Sequence, residues 1–277
     1  MITALALLAA GTGEAVVLKP AANMYAQPTV DSEVVSQAIY GSNIGILEER
    51  SGWAHVRTAD DYKGWMEASS FRRLKPGEGR YAMGGNVVDI SSLFANIYRE
   101  RDATTHQPLM TVPFETKLEV MVESERQERW IQIRLADGRA GWVQRGDVAA
   151  DTKRLDAAQT IALADWFVGL PYLWGGTSTF GFDCSGFTQM LCRRRGVVMP
   201  RDADLQARWS GSIPVDRNAL EPGDLLFFGE TKVNHTGMYM GNGKFINATT
   251  HGRPMVQISD LGDPHWAKLF REARRVK

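Results

Sequence analysis

Residues 182–187 read Phe182-Asp183-Cys184-Ser185-Gly186-Phe187, and this stretch decides how the carboxyl-terminal part of the chain folds. Asp183 is a favourable N-cap, and the pattern after it predicts a helix that continues through Cys192. Cys184 then lies in the first helical turn, where the positive end of the helix dipole favours a thiolate over a thiol. The flanking glycines would let a substrate backbone approach closely. We therefore predict that Cys184 is a nucleophile.

The chain has two cysteines, Cys184 and Cys192, and the alternative for each is a buried, unreactive side chain. Cys192 suits that alternative, because it lies two helical turns after Cys184 and lacks flanking glycines. The helix separates their Cα atoms by about 12 Å, beyond the roughly 7 Å that a disulfide spans, so we expect no disulfide between them. Without a CxxC pair or a matching histidine pair, we also expect no zinc site and no cofactor.

His235 is the candidate base. It opens a predicted strand that ends at Met240, and Gly241-Asn242-Gly243 predicts a tight turn into a second strand starting at Lys244. If Met240 pairs with Lys244, Asn247 lies diagonal to His235 on one face of the hairpin, within side-chain reach. An amide oxygen there would hold the imidazole in the tautomer whose other nitrogen serves the thiol.

His251 is the competing partner for His235, because it is also diagonal in the same register. It follows the end of the predicted ladder, however, and we favour Asn247. The three remaining histidines lie in segments without other catalytic candidates and are predicted to be surface residues: His55, His106 and His265.

A repeat occupies the amino-terminal half. Its landmarks in the two copies are Tyr25, Trp53 and Trp65, and Tyr98, Trp130 and Trp142. The spacing between copies grows by a few residues, which predicts an insertion in the loop at residues 123–129. Short alternating runs separated by turn residues predict a small all-β barrel in each copy. The pattern resembles the bacterial SH3-like domains that commonly precede cell-wall hydrolases.

The pattern changes at residue 151. Residues 156–168 have apolar side chains at helical spacing, a second helix follows Cys184, and β-rich segments come after it, which predicts an α+β domain. We therefore predict a multidomain chain. Its parts are a signal remnant or amino-terminal arm at residues 1–14, SH3-like barrels at 15–76 and 77–150, and a catalytic domain at 151–277.

Charge and hydropathy exclude some classes of function. The chain has 32 basic and 32 acidic residues, so its net charge predicts no nucleic-acid partner. No stretch approaches the roughly 20 apolar residues that span a bilayer, so we expect no integral membrane segment.

Four ordered motifs resemble the NlpC-type family of bacterial cell-wall endopeptidases. They lie at residues 171–176, 183–187, 222–228 and 235–241. The resemblance implies a papain-like fold and a catalytic triad of Cys184, His235 and Asn247, with Tyr172 helping to stabilise the oxyanion. The family often has histidine at the third position; Asn247 departs from that form but keeps an acceptor.

With the two SH3-like units, the chain resembles the dipeptidyl-peptidase VI subgroup of γ-D-glutamyl-L-diamino acid endopeptidases. The resemblance implies a substrate with a free amino-terminal L-alanine, bound by Asp202 and by Tyr62 from the first unit. Other residues of the same motifs are expected in the substrate site: Ser185, Arg201 and Trp174. Ala203 stands where the subgroup has serine, which removes one polar contact.

These observations lead us to expect a monomeric cysteine peptidase that cuts peptidoglycan stem peptides in the cell envelope or outside the cell, with cytoplasmic recycling as the alternative. Two other classes stay open: a wall-binding protein with a degenerate third domain, and an amidase or acyltransferase on the same fold. The choice between lysine and diaminopimelate in the substrate also stays open.

Overall fold

A computed structural model describes residues 13–122, 128–150 and 152–277. The predicted signal remnant at residues 1–14 lies largely outside these ranges, as does most of the predicted insertion at residues 123–129. The first strand begins at Gly13.

The first unit is all β. Its seven strands are β1 Gly13–Val17, β2 Ala21–Tyr25, β3 Val34–Ile39, β4 Asn43–Arg50, β5 Trp53–Arg57, β6 Lys63–Glu67 and β7 Phe71–Arg73. They form one sheet in the order β3-β2-β6-β5-β4-β1-β7. Alternate side chains of β5 are buried, as expected for strands that wrap around a core.

The second unit repeats this strand order. Its strands are β8 Val87–Ile90, β9 Phe94–Ile97, β10 Met110–Pro113, β11 Lys117–Val120, β12 Trp130–Arg134, β13 Ala140–Gln144 and β14 Val148–Ala149. The pair β10-β9 contacts β13 through a bridge between Tyr98 and Trp142, and the sheet continues as β13-β12-β11-β8-β14.

The aromatic landmarks of the repeat also pack alike. Tyr25 meets Trp53 edge to face at 5.4 Å, and Tyr98 meets Trp130 at 5.3 Å, both between ring centroids. The internal repeat predicted from the sequence is therefore confirmed as a repeat of structure.

The third unit packs helices against an antiparallel sheet. Its helices are α1 Ala157–Asp165, α2 Cys184–Arg194, α3 Ala203–Ala207 and α4 Pro264–Leu269, and its strands are β15 Thr177–Ser178, β16 Gly181–Phe182, β17 Ser212–Val215, β18 Leu225–Phe228, β19 His235–Gly241, β20 Lys244–Thr249, β21 Met255–Asp260 and β22 Phe270–Val276. The main sheet has the order β17-β22-β18-β19-β20-β21. Helix α2, which begins at Cys184, packs on β19 and β20, the strands that carry His235 and Asn247.

The core of the third unit lies between α2 and this sheet. It includes three phenylalanines that meet edge to face, Phe167, Phe182 and Phe187, together with Cys192. In the described ranges no helix has the length and apolar character that crossing a bilayer requires.

Candidate active site

Helix α2 begins as the sequence predicts. Asp183 is its N-cap and accepts a hydrogen bond from the Gly186 backbone N–H at 2.7 Å, and Cys184 is the first helical residue. Cys184 and Cys192 are both free thiols. Cys192 is fully buried in the core, as predicted for a packing residue.

Gly186 has a different role from the one predicted. A Cβ on Gly186 would lie 2.2 Å from the carbonyl oxygen of Gly176, so the missing side chain makes room for the protein's own backbone. The glycine therefore allows the loop before β15 to close against the start of α2, and it does not admit a substrate.

The hairpin that holds His235 differs from prediction at its end. Gly241, not Met240, pairs with Lys244, because Asn242 and Gly243 both have positive φ and form a two-residue turn. Met240 is a bulge that absorbs the extra residue. Beyond it Met238 faces Ile246, which is the register predicted for the rest of the hairpin.

This register brings His235 and Asn247 together. The Nε2 atom of His235 lies 2.9 Å from Oδ1 of Asn247. The Asn247 amide nitrogen donates to the Gln257 carbonyl at 3.2 Å and to the Ser259 hydroxyl at 3.0 Å. Since a carbonyl can only accept, the Asn247 oxygen must face the imidazole, and Nε2 must carry the hydrogen. The lone pair of the neutral ring is then on Nδ1.

Helix α2 and strand β19 bring the Cys184 sulfur to the backbone N–H of Thr236, the residue after His235. Burial raises the pKa of the Cys184 thiol to about 12. The backbone N–H groups of Ser185 and of Thr236 act against this shift. Burial likewise lowers the pKa of His235 to about 4, against the hydrogen bond that its Nε2 donates to Asn247. Burial therefore favours the neutral form of both groups, against the thiolate that the helix dipole favours.

His251 does not take the place of Asn247. It is exposed, and its ring stacks on His265 with centroids 3.7 Å apart. Trp266, which no sequence pattern indicated, covers the His235 imidazole. Its indole stacks on the His235 imidazole with centroids 4.9 Å apart. No local sequence signal marks Trp266, since it reaches the site from α4.

Comparisons with known proteins show which families the chain resembles. The family model described as NlpC/P60 family matches residues 169–275, and the bacterial dipeptidyl-peptidase Sh3 domain matches residues 24–71. The carboxyl-terminal domain belongs to the NlpC/P60 family. A solved structure of an NlpC/P60 family protein from Bacillus cereus superposes with a TM-score of 0.83 at 25% identity, covering 95% of this chain and 99% of that one.

Two relatives cover most of the chain. A γ-D-glutamyl-L-lysine dipeptidyl-peptidase of Bacillus cereus is 29% identical over 261 residues, 88% of this chain and 75% of its own length. Dipeptidyl-peptidase 6 of Lysinibacillus sphaericus is 27% identical over 266 residues, 93% of this chain and 94% of its own length. With the family model, these relatives show that the chain is a cysteine-type hydrolase of peptide bonds.

Arg201 lies beneath the NlpC/P60 site and not in it. Its guanidinium donates to both carboxylate oxygens of Asp183, at 3.0 and 2.6 Å, to the Ser185 hydroxyl at 2.9 Å and to the Ser36 hydroxyl of the first unit at 3.2 Å. The Arg201 side chain is 1% exposed. The predicted substrate contact therefore does not fit Arg201, nor Ser185, whose hydroxyl is buried in the same network. This ion pair instead fixes the N-cap in front of Cys184.

The first unit supplies Tyr62 to the NlpC/P60 domain. The Tyr62 hydroxyl donates to Oδ1 of Asp202 at 3.3 Å, although 140 residues separate them. Asp202 occupies the N-cap position of α3 but makes no capping hydrogen bond, so its carboxylate faces Tyr62 instead. Burial raises the pKa of both groups. A buried carboxyl of this kind favours a cationic partner.

The two other predicted site residues are Tyr172 and Trp174. Tyr172 is half-buried and close enough to Cys184 that the two groups interact electrostatically, while burial raises the pKa of its phenol and keeps the hydroxyl a donor. Trp174 is 60% exposed, and its indole N–H donates to Glu33 of the first unit at 2.9 Å. Glu33 was not identified from the sequence, because it lies in the first unit, far from the catalytic motifs. Among the described residues, no three metal-ligating side chains come together.

Proposed function

We propose that the protein is a cysteine peptidase that hydrolyses the γ-D-Glu–L-diamino acid bond of peptidoglycan stem peptides with a free amino-terminal L-alanine. The contact between Tyr62 and Asp202 carries this proposal. The Asp202 carboxylate is half-buried and interacts electrostatically with Asp183, the N-cap in front of Cys184, so it is a candidate partner for an ammonium group. The name of the Bacillus cereus relative, a γ-D-glutamyl-L-lysine dipeptidyl-peptidase, supports the choice of bond.

In the reaction that we propose, His235 Nδ1 takes the proton from Cys184 as the sulfur attacks the γ-carbonyl of D-Glu. The Tyr172 hydroxyl faces the developing oxyanion. His235 then returns the proton to the amine of the diamino acid, and the C–N bond breaks to leave a thioester on Cys184. Water, deprotonated by the same imidazole, hydrolyses the thioester and releases L-Ala-D-Glu. Asn247 holds the imidazole in the required tautomer throughout.

The second β unit, in this proposal, is a second SH3-like domain, supported by the strand order that it shares with the first. In this proposal Asp202 and Tyr62 form an amine pocket, to which the first unit contributes Tyr62. Asp60 of the same unit accepts a hydrogen bond from the Gln189 amide of α2 at 2.8 Å. We propose that the protein acts as a monomer on peptides already released from the glycan, in the cell envelope or, alternatively, in the cytoplasm.

The amine pocket predicts selectivity for unblocked peptides. We expect kcat/KM for L-Ala-γ-D-Glu-L-Lys to exceed that for its N-acetylated form by about 10²-fold, because the acetylated amine cannot pair with Asp202. Asp202→Asn should remove most of this difference by lowering the rate on the free peptide. Mass spectrometry of the products identifies the bond that is cut. Equal cleavage of both peptides by the unaltered protein would contradict the proposal.

The burial of Cys184 and His235 predicts how kcat depends on pH. Because the pKa of His235 is held at about 4, its imidazole can accept a proton throughout the neutral range. At saturating tripeptide, kcat should be constant between about pH 6 and 9 and fall below about pH 5. kcat/KM should also fall above about pH 8, where the peptide amine loses its charge. A decline of kcat itself within the alkaline half of this window would indicate a resting thiolate–imidazolium pair instead.

A further inference from the structure

The catalytic histidine defines where the leaving amino acid lies. In the proposed reaction His235 gives its proton to the amine of the diamino acid, so that amino acid must sit beside the imidazole. Trp266 covers one face of this ring. The exposed side chains around Trp266 are therefore those that the diamino acid meets.

Two stacked histidines occupy this surface. The rings of His251 and His265 are parallel within 1°, with centroids 3.7 Å apart. Both pack edge-on against Trp266, at 5.5 and 4.8 Å between ring centroids. Both are exposed to solvent. His265 also interacts electrostatically with His235, which places the stack close to the reacting atoms. The mechanism makes no use of either residue.

The loop that carries His251 also contacts the backbone of Tyr172. The Pro254 carbonyl accepts a hydrogen bond from the Tyr172 backbone N–H at 2.9 Å, so residues 251–254 connect Tyr172 on one side of the site with the histidine stack on the other. A diamino acid that leaves as Cys184 is acylated would therefore lie next to this loop.

The stack offers hydrogen-bond donors to an acidic group. Lys268 on α4 acts on His265 but also lies 3.6 Å from the Glu230 carboxylate, and Arg253 belongs to the loop of His251. The carboxylate of Asp263 also acts on His265, but it accepts the His265 backbone N–H at 2.9 Å as the cap of α4. The stack therefore offers imidazole N–H donors to a carboxylate, with the cation Arg253 in the same loop.

We propose that His251 and His265 bind the side-chain carboxylate of the leaving amino acid and make the enzyme prefer meso-diaminopimelate over L-lysine. The two amino acids present an ammonium at a similar distance from the scissile bond, but only diaminopimelate adds a carboxylate there. This specificity rests on the proposed function and concerns the side of the bond opposite the amine pocket.

Three tripeptides that differ only at the third residue test this specificity: one with L-lysine, one with meso-diaminopimelate and one with diaminopimelate amidated at its side-chain carboxylate. We expect kcat/KM for diaminopimelate to exceed that for each of the other two by about tenfold. In His251→Phe and His265→Phe, which keep a ring on Trp266 but remove the N–H donors, both ratios should fall toward one. His106→Phe alters an exposed histidine that pairs with Glu100 in the second unit, and it should keep the unaltered ratios.

Equal kcat/KM for the three peptides, a preference for lysine, or unchanged ratios in both phenylalanine variants would overturn this specificity. Cleavage of the lysine peptide that depends on Cys184 would show at the same time that the proposed hydrolysis stands. If none of the three peptides is cleaved, the proposed function fails, and the specificity fails with it.

Discussion

Replacing Cys184 with alanine should lower kcat/KM for L-Ala-γ-D-Glu-L-Lys by at least about 10⁴-fold, because no other group can form the thioester. The Cys184 side chain is 8% exposed, and the smaller alanine side chain fits in the same space. The fold should therefore be retained. Steady-state hydrolysis measures the loss, and circular dichroism checks the fold.

Cys192→Ala is the matched control for this substitution. Cys192 is the second free thiol on the same helix, but it is buried in the core. Its loss should cost on the order of 1 kcal/mol of stability and leave turnover within about threefold of the unaltered protein. Turnover by Cys184→Ala at more than about one hundredth of the normal rate would exclude Cys184 as the nucleophile.

Replacing Arg201 with methionine should destabilise the protein by about 3–5 kcal/mol, because the Asp183 carboxylate would remain buried without its cation. Asp183 holds the first turn of α2 through the Gly186 backbone N–H and also accepts from the Gly175 backbone N–H at 3.0 Å. The loss of this ion pair should therefore lower kcat as well, by at least about tenfold, since the cap in front of Cys184 loosens.

Arg193→Gln provides the control for Arg201. Arg193 also pairs with a carboxylate, Glu115, but its side chain is 43% exposed, so its loss should cost no more than about 1 kcal/mol. Urea unfolding and steady-state kinetics on both variants make the comparison. Equal, small losses of stability would show that the Arg201 network does not fix the nucleophile helix.

Local patterns were sufficient to predict the helix that begins at Cys184 and the hairpin that joins His235 to Asn247. The N-cap Asp183 predicted where α2 begins, and the turn before Lys244 predicted a register that joins His235 to Asn247. The repeat of Tyr25 and Trp53 in Tyr98 and Trp130 predicted two copies of one β arrangement. These features depend on residues that are close in sequence or on an internal copy.

Features that depend on burial or on distant contacts were missed or misjudged. The thiolate was expected from the helix dipole, but the desolvation that raises the pKa of Cys184 depends on what packs around it. Arg201 was taken for a substrate contact, because its motif does not reveal that Asp183 and Ser36 enclose it. Trp266 reaches His235 from a helix near the end of the chain. Only the tertiary fold brings these groups together.

Trapping the covalent intermediate tests the proposed mechanism at its central step. Rapid acid quenching during turnover of L-Ala-γ-D-Glu-L-Lys, followed by proteolysis and mass spectrometry, should find an L-Ala-γ-D-Glu acyl group on the peptide that contains Cys184, attached to that sulfur. An acyl group on any other side chain would contradict the assignment of Cys184 and His235 as the hydrolytic pair.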